Sequence, residues 1–400
     1  MKSFIICILS YFILTGLSFH AIGQMDETEL QKLLDQYLKS GDPGIYSKIS
    51  EAAPGSKYDR FCQAYKLLDV DNQKGISLSR VLVSDFPDFP EAFFALGTFM
   101  INGSKEYSEA VLNLDTAIQL KPEFIMAWFN RGIGKINAKE YEKARSDFNR
   151  VIELDRGNAS AYIMRAVANN FLGDLEKLIP DIEIALQMDP YIISSLYYVQ
   201  VRQTIDKAVE LAPENANLFY ARGYANLNNG YYRLALNDFV RALELVPGSS
   251  EFYKLSGASK IYLKDGPGAA SDLKVAMGIN PDDPEIYYFM GLLANDVQEQ
   301  PEMGYEYLSQ AIELNPWDPV NYYERAWSSY DLLDYEAAME DVKKAIELDN
   351  RNGDFYTLRA MIGLFGELES GFDYCEDFRK AEELGTVYKL SKYIKKYCKE

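Results

Sequence analysis

The chain has 400 residues, 48% of them hydrophobic and 25% charged, with 60 acidic against 41 basic side chains and a formal charge of −19. That length exceeds one compact core, so several domains or an elongated array are expected. So acidic a chain repels nucleic-acid phosphates and anionic lipid, which excludes both as expected partners.

Residues 1–23 begin with Lys2, continue in an apolar run from Phe4 to Phe19 and end in the small residues Ala21 and Gly23. This is the pattern of a secretory signal peptide, with cleavage expected before Gln24. The run is short for a bilayer span, which needs about 20 residues. The expectation is therefore export, periplasmic or secreted, without membrane insertion after cleavage. Lys2 and the one histidine, His20, would leave with the signal, taking the charge to −20. A mature chain without histidine excludes His-based catalytic triads and His-containing metal sites. Cys62, Cys375 and Cys398 remain. An exported protein can keep disulfides, and Cys375 with Cys398 is the natural pair; buried free thiols are the other reading, and Cys62 is left over in both.

Residues 24–55 read as N-terminal capping helices. Beyond them the chain repeats itself: "TAIQLKP", "RVIELDR", "KAVELAP", "RALELVP" and "QAIELNP" are copies of one phrase. The copies close at Pro122, Arg156, Pro190, Pro213, Pro247, Pro281, Pro316 and Asn350, at intervals of 34, 34, 23, 34, 34, 35 and 34 residues. A weaker copy ends near Pro87, 35 residues before Pro122. Within each unit, apolar residues recur three and four apart in two stretches, split by turn residues such as "LGD" (172–174) and "NNG" (228–230), which predicts two helices. Proline ends the second, since it can neither donate to the turn nor continue it. Small residues hold fixed places: Gly132, Gly223, Gly257 and Gly291 in first helices, Ala144, Ala235, Ala269 and Ala338 in second ones. An aromatic stands four residues before each of those glycines: Trp128, Phe219, Tyr253 and Tyr287.

This order of aromatic, small residue, alanine, apolar residue, alanine and proline resembles the tetratricopeptide repeat over residues 56–385. The resemblance implies an all-α protein, an α-solenoid of antiparallel helix pairs in a right-handed superhelix, with a groove lined by first helices that binds a peptide or protein. The expected segments are a degenerate-start array over 56–190, a truncated irregular repeat over 191–213, a second array over 214–385 and a capping helix over 386–400. Such a helix would cover the last apolar face, and Val387, Leu390, Ile394 and Tyr397 have helical spacing. Leu178 in a small-residue place and Pro180 inside a second helix predict a kink, and a bend or extra helix near 175–213.

Arg131 sits among positions that should be apolar, and the position recurs as Arg165, Arg222, Arg325 and Arg359. Each has an aspartate on the partner helix: Asp147, Asp181, Asp238 and Asp341 at a distance of 16 residues, Asp377 at 18. Joint occurrence predicts bidentate ion pairs inside the hairpins, because a lone buried charge is costly. They read as framework.

No catalytic residue, cofactor motif or metal set emerges: there is no CxxC and no phosphate-cradling glycine loop. "DVDNQKG" (69–75) lacks the late acidic ligand of a calcium loop, Arg80 standing in its place. The resemblance instead points to first-helix groove positions, which here hold Phe129, Tyr220, Tyr224, Tyr288, Tyr323, Trp327 and Tyr330. The family's clamp for a terminal carboxylate needs a lysine that this chain replaces by Phe129, Ile163, Tyr220 and Tyr288, keeping only Lys254. The expected function is a non-catalytic envelope scaffold or adaptor gripping neutral or basic proteins or peptides through tyrosines. A glycan-binding module using the same aromatics is the alternative, and a carboxylate-dependent hydrolase a remote one.

Overall fold

A computed structural model describes residues 25–68, 70–195, 199–366 and 373–398. The expected signal peptide and its cleavage point lie outside the described residues. Helices make up the secondary structure, and no strand occurs among the described residues. The chain forms two compact units, one up to Ile184 and one from Ala185. That division falls inside a helix, short of the boundary expected at Pro190.

The first unit opens with α1 (Glu27–Ser40) and α2 (Pro43–Ala52). Asp26 and Glu29 form a reciprocal capping box at the start of α1, which satisfies two otherwise orphaned donors. Leu30, Leu34 and Tyr37 then face inward from it. Hairpins follow: α3 (Lys57–Tyr65) with α4 (Asn72–Asp85), α5 (Pro90–Phe99) with α6 (Tyr107–Leu120), α7 (Ile125–Asn137) with α8 (Tyr141–Leu154), then α9 (Ala159–Leu172) and α10 (Leu175–Met188). Helix α10 runs unbroken through Pro180.

The second unit contains the short α11 (Ile192–Ser195) and α12 (Val199–Leu211), so the irregular stretch adds helix. Five hairpins come next: α13 (Ala216–Asn228) with α14 (Tyr232–Leu245), α15 (Ser250–Tyr262) with α16 (Gly266–Ile279), α17 (Pro284–Asp296) with α18 (Pro301–Leu314), α19 (Pro319–Asp331) with α20 (Tyr335–Leu348), and α21 (Gly353–Phe365) with α22 (Tyr374–Leu384). In these five hairpins the two helices pack on each other, and α14, α16, α18 and α20 also pack on the first helix of the following hairpin. This is an α-solenoid of helix pairs.

Inside each hairpin a large side chain fills the space a small one leaves. A Cβ added to Gly132 would stand 2.6 Å from Phe148, and one added to Gly223 would stand 2.8 Å from Phe239. Ala144, Phe148 and Val151 are fully buried, as are Ala235, Phe239 and Ala242. The second helices stop where the residue before proline turns extended, with φ of −137° at Lys121 and −135° at Val246.

The hairpin turn demands a left-handed residue at one fixed place. Gly173 and Gly230 occupy it with φ of 76°, but so do Lys139, Lys264 and Leu333, at 60° to 62°. The two 35-residue units carry their extra residue here. Their left-handed residue moves to Lys105 and Glu299, and a π-helical turn over Met100–Ser104 absorbs the first insertion. Leu333 is 70% exposed and holds φ 62°, a conformation that strains a side chain. Leu333→Gly is expected to raise the unfolding free energy by about 0.5–1 kcal/mol, read as a higher urea midpoint.

The C-terminal segment differs from expectation. Only Ser391–Tyr397 (α23) is helical. Gly385, at φ 84°, ends α22. The Thr386 hydroxyl (2.6 Å) and the Val387 N–H (2.9 Å) then both donate to Asp354 Oδ1, which holds 386–390 as a loop. Val387, expected on a helix face, is 80% exposed, whereas Leu390 is buried. A disulfide joins Cys375 to Cys398. Cys62 is a buried free thiol, pushed up to about 12 by burial and by Asp59.

Candidate functional site

The arginines decide what the site is not. Arg131 grips Asp147 through Nε (2.9 Å) and Nη2 (2.6 Å), and Arg165 grips Asp181 at the same two distances. Arg222 meets Asp238 at 2.6 Å through Nη2. Arg325 and Asp341 pair at 2.8 and 2.7 Å, Arg359 and Asp377 at 2.7 and 2.6 Å. All five carboxylates are buried. Burial pushes the Asp238 carboxyl up, against the pull of Arg222.

The guanidiniums also do two things the sequence reading missed. In four of the five, Nη1 reaches back to the preceding second helix: Asp115 at 2.6 Å from Arg131, Asn149 at 2.8 Å from Arg165, Asp206 at 3.0 Å from Arg222 and Ser309 at 3.0 Å from Arg325. These partners lie 16 residues before the arginine, a mirror of the forward spacing that was legible and unread. The guanidinium also rests over the repeat's aromatic, 4.4 Å above Trp128 for Arg131 and 5.3 Å over Tyr356 for Arg359. The arginines therefore tie hairpin to hairpin, with their donors spent on structure. Where Ser256 replaces arginine, its hydroxyl donates to Asp272 at 2.6 Å.

The groove candidates separate into groups. In the first unit, Phe129 lies edge-on to Phe148 with ring centres 5.7 Å apart and is half-buried, a packing contact. In the second, Tyr220 is buried and Tyr224 half-buried, and Tyr191 joins them 4.7 Å from Tyr224. Tyr323, Trp327 and Tyr330 follow one face of α19, with centres 6.3 and 5.5 Å apart along the row. Tyr323 is nearly buried against Phe355, while Trp327 and Tyr330 keep open surface. Tyr388, from the loop before α23, closes on this row. Its hydroxyl is 3.3 Å from that of Tyr323 and its ring 6.3 Å from Trp327. Tyr288 is half-buried on α17.

Lys254, the residue left at the clamp position, is 3% exposed. Glu285 (2.6 Å), Glu251 (2.7 Å) and Asp283 (3.0 Å) surround it. It is saturated by this chain's own carboxylates and is not presented to a ligand.

Glu324 has no such partner. It is enclosed by protein on most sides yet keeps surface open to water, and its carboxylate makes no hydrogen bond or ion pair among the described residues. Burial, with Asp296 beside it, pushes the carboxyl up to about 8. Tyr262, Tyr288, Tyr323 and Tyr388 are all close enough to feel its charge. The signal lay in the repeat: the residue before the arginine position is Asn130, Met164, Ala221, Leu255, Phe289 and Leu358 elsewhere, and a carboxylate only here.

A cleft of about 570 Å³ in the first unit, lined by Arg145, Arg165, Lys177 and Asp181, is internally neutralised, since Asp174 takes Arg145 and Lys177. Among the described residues no cluster of His, Cys, Asp and Glu could hold a metal ion. No helix among them is long and apolar enough to cross a membrane.

Stacked helix pairs with a fixed aromatic, small-residue and proline order define a helical-repeat protein, and comparison with known proteins names the repeat. The tetratricopeptide-repeat family model matches residues 320–352. Human tetratricopeptide repeat protein 13 is 25% identical over 175 residues, 40% of this chain and 20% of that protein. The human mitochondrial import receptor subunit TOM70 is 20% identical over 312 residues, covering 76% and 47%. A UDP-N-acetylglucosamine–peptide N-acetylglucosaminyltransferase of Giardia intestinalis is 29% identical over 148 residues, covering 36% and 10%. The chain thus spans less than half the length of these relatives. The yeast Tom70 crystal structure, 15% identical, aligns with a TM-score of 0.41 over 89% of this chain and 91% of its own. Residues 320–352 thus match a tetratricopeptide repeat, and the chain is similar to proteins built of such repeats.

Proposed function

We propose that this protein is a non-catalytic scaffold that binds other proteins or peptides on the first-helix face of its second unit. The observation that carries the reading is the set of partly open aromatics on first helices of this unit, Tyr224 on α13, Tyr288 on α17 and Trp327 and Tyr330 on α19. Such side chains bury large area at low conformational cost. The likeness to TOM70, an import receptor subunit by name, supports polypeptide binding. The likeness to a glycosyltransferase covers 10% of that enzyme. Export to the periplasm or beyond, read from residues 1–23, completes the proposal as an envelope adaptor, and the acidic chain selects neutral or basic partners.

Mass spectrometry of proteins retained by the intact chain, against a Tyr224→Ala/Tyr288→Ala variant shown to be folded by circular dichroism, tests this. The expected result is loss of one or a few partners at unchanged fold. Identical retained sets for both proteins would end the proposal.

A further inference from the structure

Helices α15, α17 and α19 are neighbouring first helices, and Tyr388 from the loop before α23 closes on Tyr323 of α19. Tyr262, Tyr288, Tyr323 and Tyr388, with Asp296 at the end of α17, lie within electrostatic range of Glu324. Negative charge is concentrated there without compensation. Arg325, the adjacent residue, is committed to Asp341 and Ser309. Lys264 bonds the main-chain carbonyl of Asp296 at 3.1 Å, not a carboxylate. Asn321, three residues before Glu324 and so on the same helix face, is 2% exposed, and its amide oxygen has no hydrogen-bond partner. This helix face therefore offers a carboxylate and a carbonyl, both acceptors without a donor, beside phenol rings.

A cation answers each of these features. An alkylammonium or guanidinium would neutralise Glu324 and lie against ring faces, which attract positive charge, while its N–H groups serve the acceptors. Recessed acidic side chains without a cation of their own are a cost the free protein bears, and a positive ligand removes it. We infer that Glu324, with Asn321 on its helix face and Tyr323 and Tyr388 close by, receives a basic side chain, lysine or arginine, of the polypeptide bound along the first-helix face. This rests on the scaffold reading and adds what one position of the partner must be.

Binding to the ionised carboxyl couples affinity to pH. Glu324 gives up its proton at about pH 8 in the free protein, so a cation should bind more tightly as pH rises and should displace a proton near neutrality. The probes are butylguanidinium and butylammonium chloride, titrated at constant ionic strength into the full chain. Tryptophan fluorescence reports on Trp327, whose ring neighbours Tyr388. Saturable binding is expected, about tenfold weaker at pH 7 than at pH 9. In Glu324→Gln it should weaken about tenfold and lose its pH dependence, whereas Glu340→Gln, at an exposed site on α20, should leave it unchanged. No saturable response at pH 9, or equal affinity in a folded Glu324→Gln protein, would overturn the assignment. The small cations need no macromolecular partner, so their failure to bind sinks the cation site and leaves the co-purification result to judge the scaffold.

Discussion

Arg222→Met is expected to lower the unfolding free energy by about 3–5 kcal/mol, and Arg131→Met by clearly less. Both substitutions remove a bidentate grip on a buried aspartate, and both keep most of the apolar stem. The difference lies in what remains. Asp147 retains Lys135 at 2.8 Å, a second cation from the same first helix. Asp238 retains only the neutral amide of Asn226 at 3.1 Å. Each substitution also strips a half-exposed aspartate of the preceding helix, Asp206 or Asp115, so that loss is common to both. A stranded carboxylate must be desolvated without a partner or take up a proton, and burial already pushes Asp238 upward with the arginine in place. Adding Asp238→Leu to Arg222→Met should recover most of the loss, since the larger part of the cost is the orphaned charge. Urea denaturation of the four proteins at pH 7 measures this; equal midpoints for Arg222→Met and Arg131→Met would remove the role assigned to Lys135.

The repeat was legible because its physics is local and recurs. The small residues at fixed places in both helices, the aromatic four before each glycine and the closing proline were read from spacing alone. The forward arginine partners were legible for the same reason, as four instances with a common offset and a fifth displaced by two residues. What escaped were interactions without that redundancy. The backward bonds to Asp115 and Asp206 share a periodic offset, but their acceptor changes to Asn149 and Ser309, so no single residue type marks the position. Residues 386–390 have helical apolar spacing, yet two hydrogen bonds to one carboxylate, Asp354, outweigh it. Tyr388 enters the aromatic row from that loop, outside any repeat. Glu324 departs from the pattern at its position, and the departure was visible in the sequence. Its meaning was not, because an unpaired carboxylate among 60 acidic side chains is informative only once its surroundings are known.

Those surroundings set the second large effect, on stability and its pH dependence. Glu324 has a folded-state pKa raised to about 8 from an ordinary 4.5. Between these values the folded protein holds a proton that the unfolded chain has released, so unfolding releases a proton and stability falls as pH rises through the window. Below pH 4.5 both states are protonated and the residue contributes nothing to the slope. Glu324→Gln, an uncharged side chain of the same length, removes the penalty. It is expected to match the parent at pH 4 and to exceed it by about 2–3 kcal/mol at pH 9, less than the full shift implies because the carboxyl keeps some contact with water. Other titrating groups, Asp238 among them, act equally in both proteins and cancel in the difference. A site that destabilises its own fold when ionised is the kind retained for binding, and saturating butylguanidinium should lift the parent's stability at pH 9 toward that of the variant. Stability curves that run parallel from pH 4 to pH 9 would show that Glu324 titrates like a surface carboxylate, and the reason for placing a cation beside it would be gone.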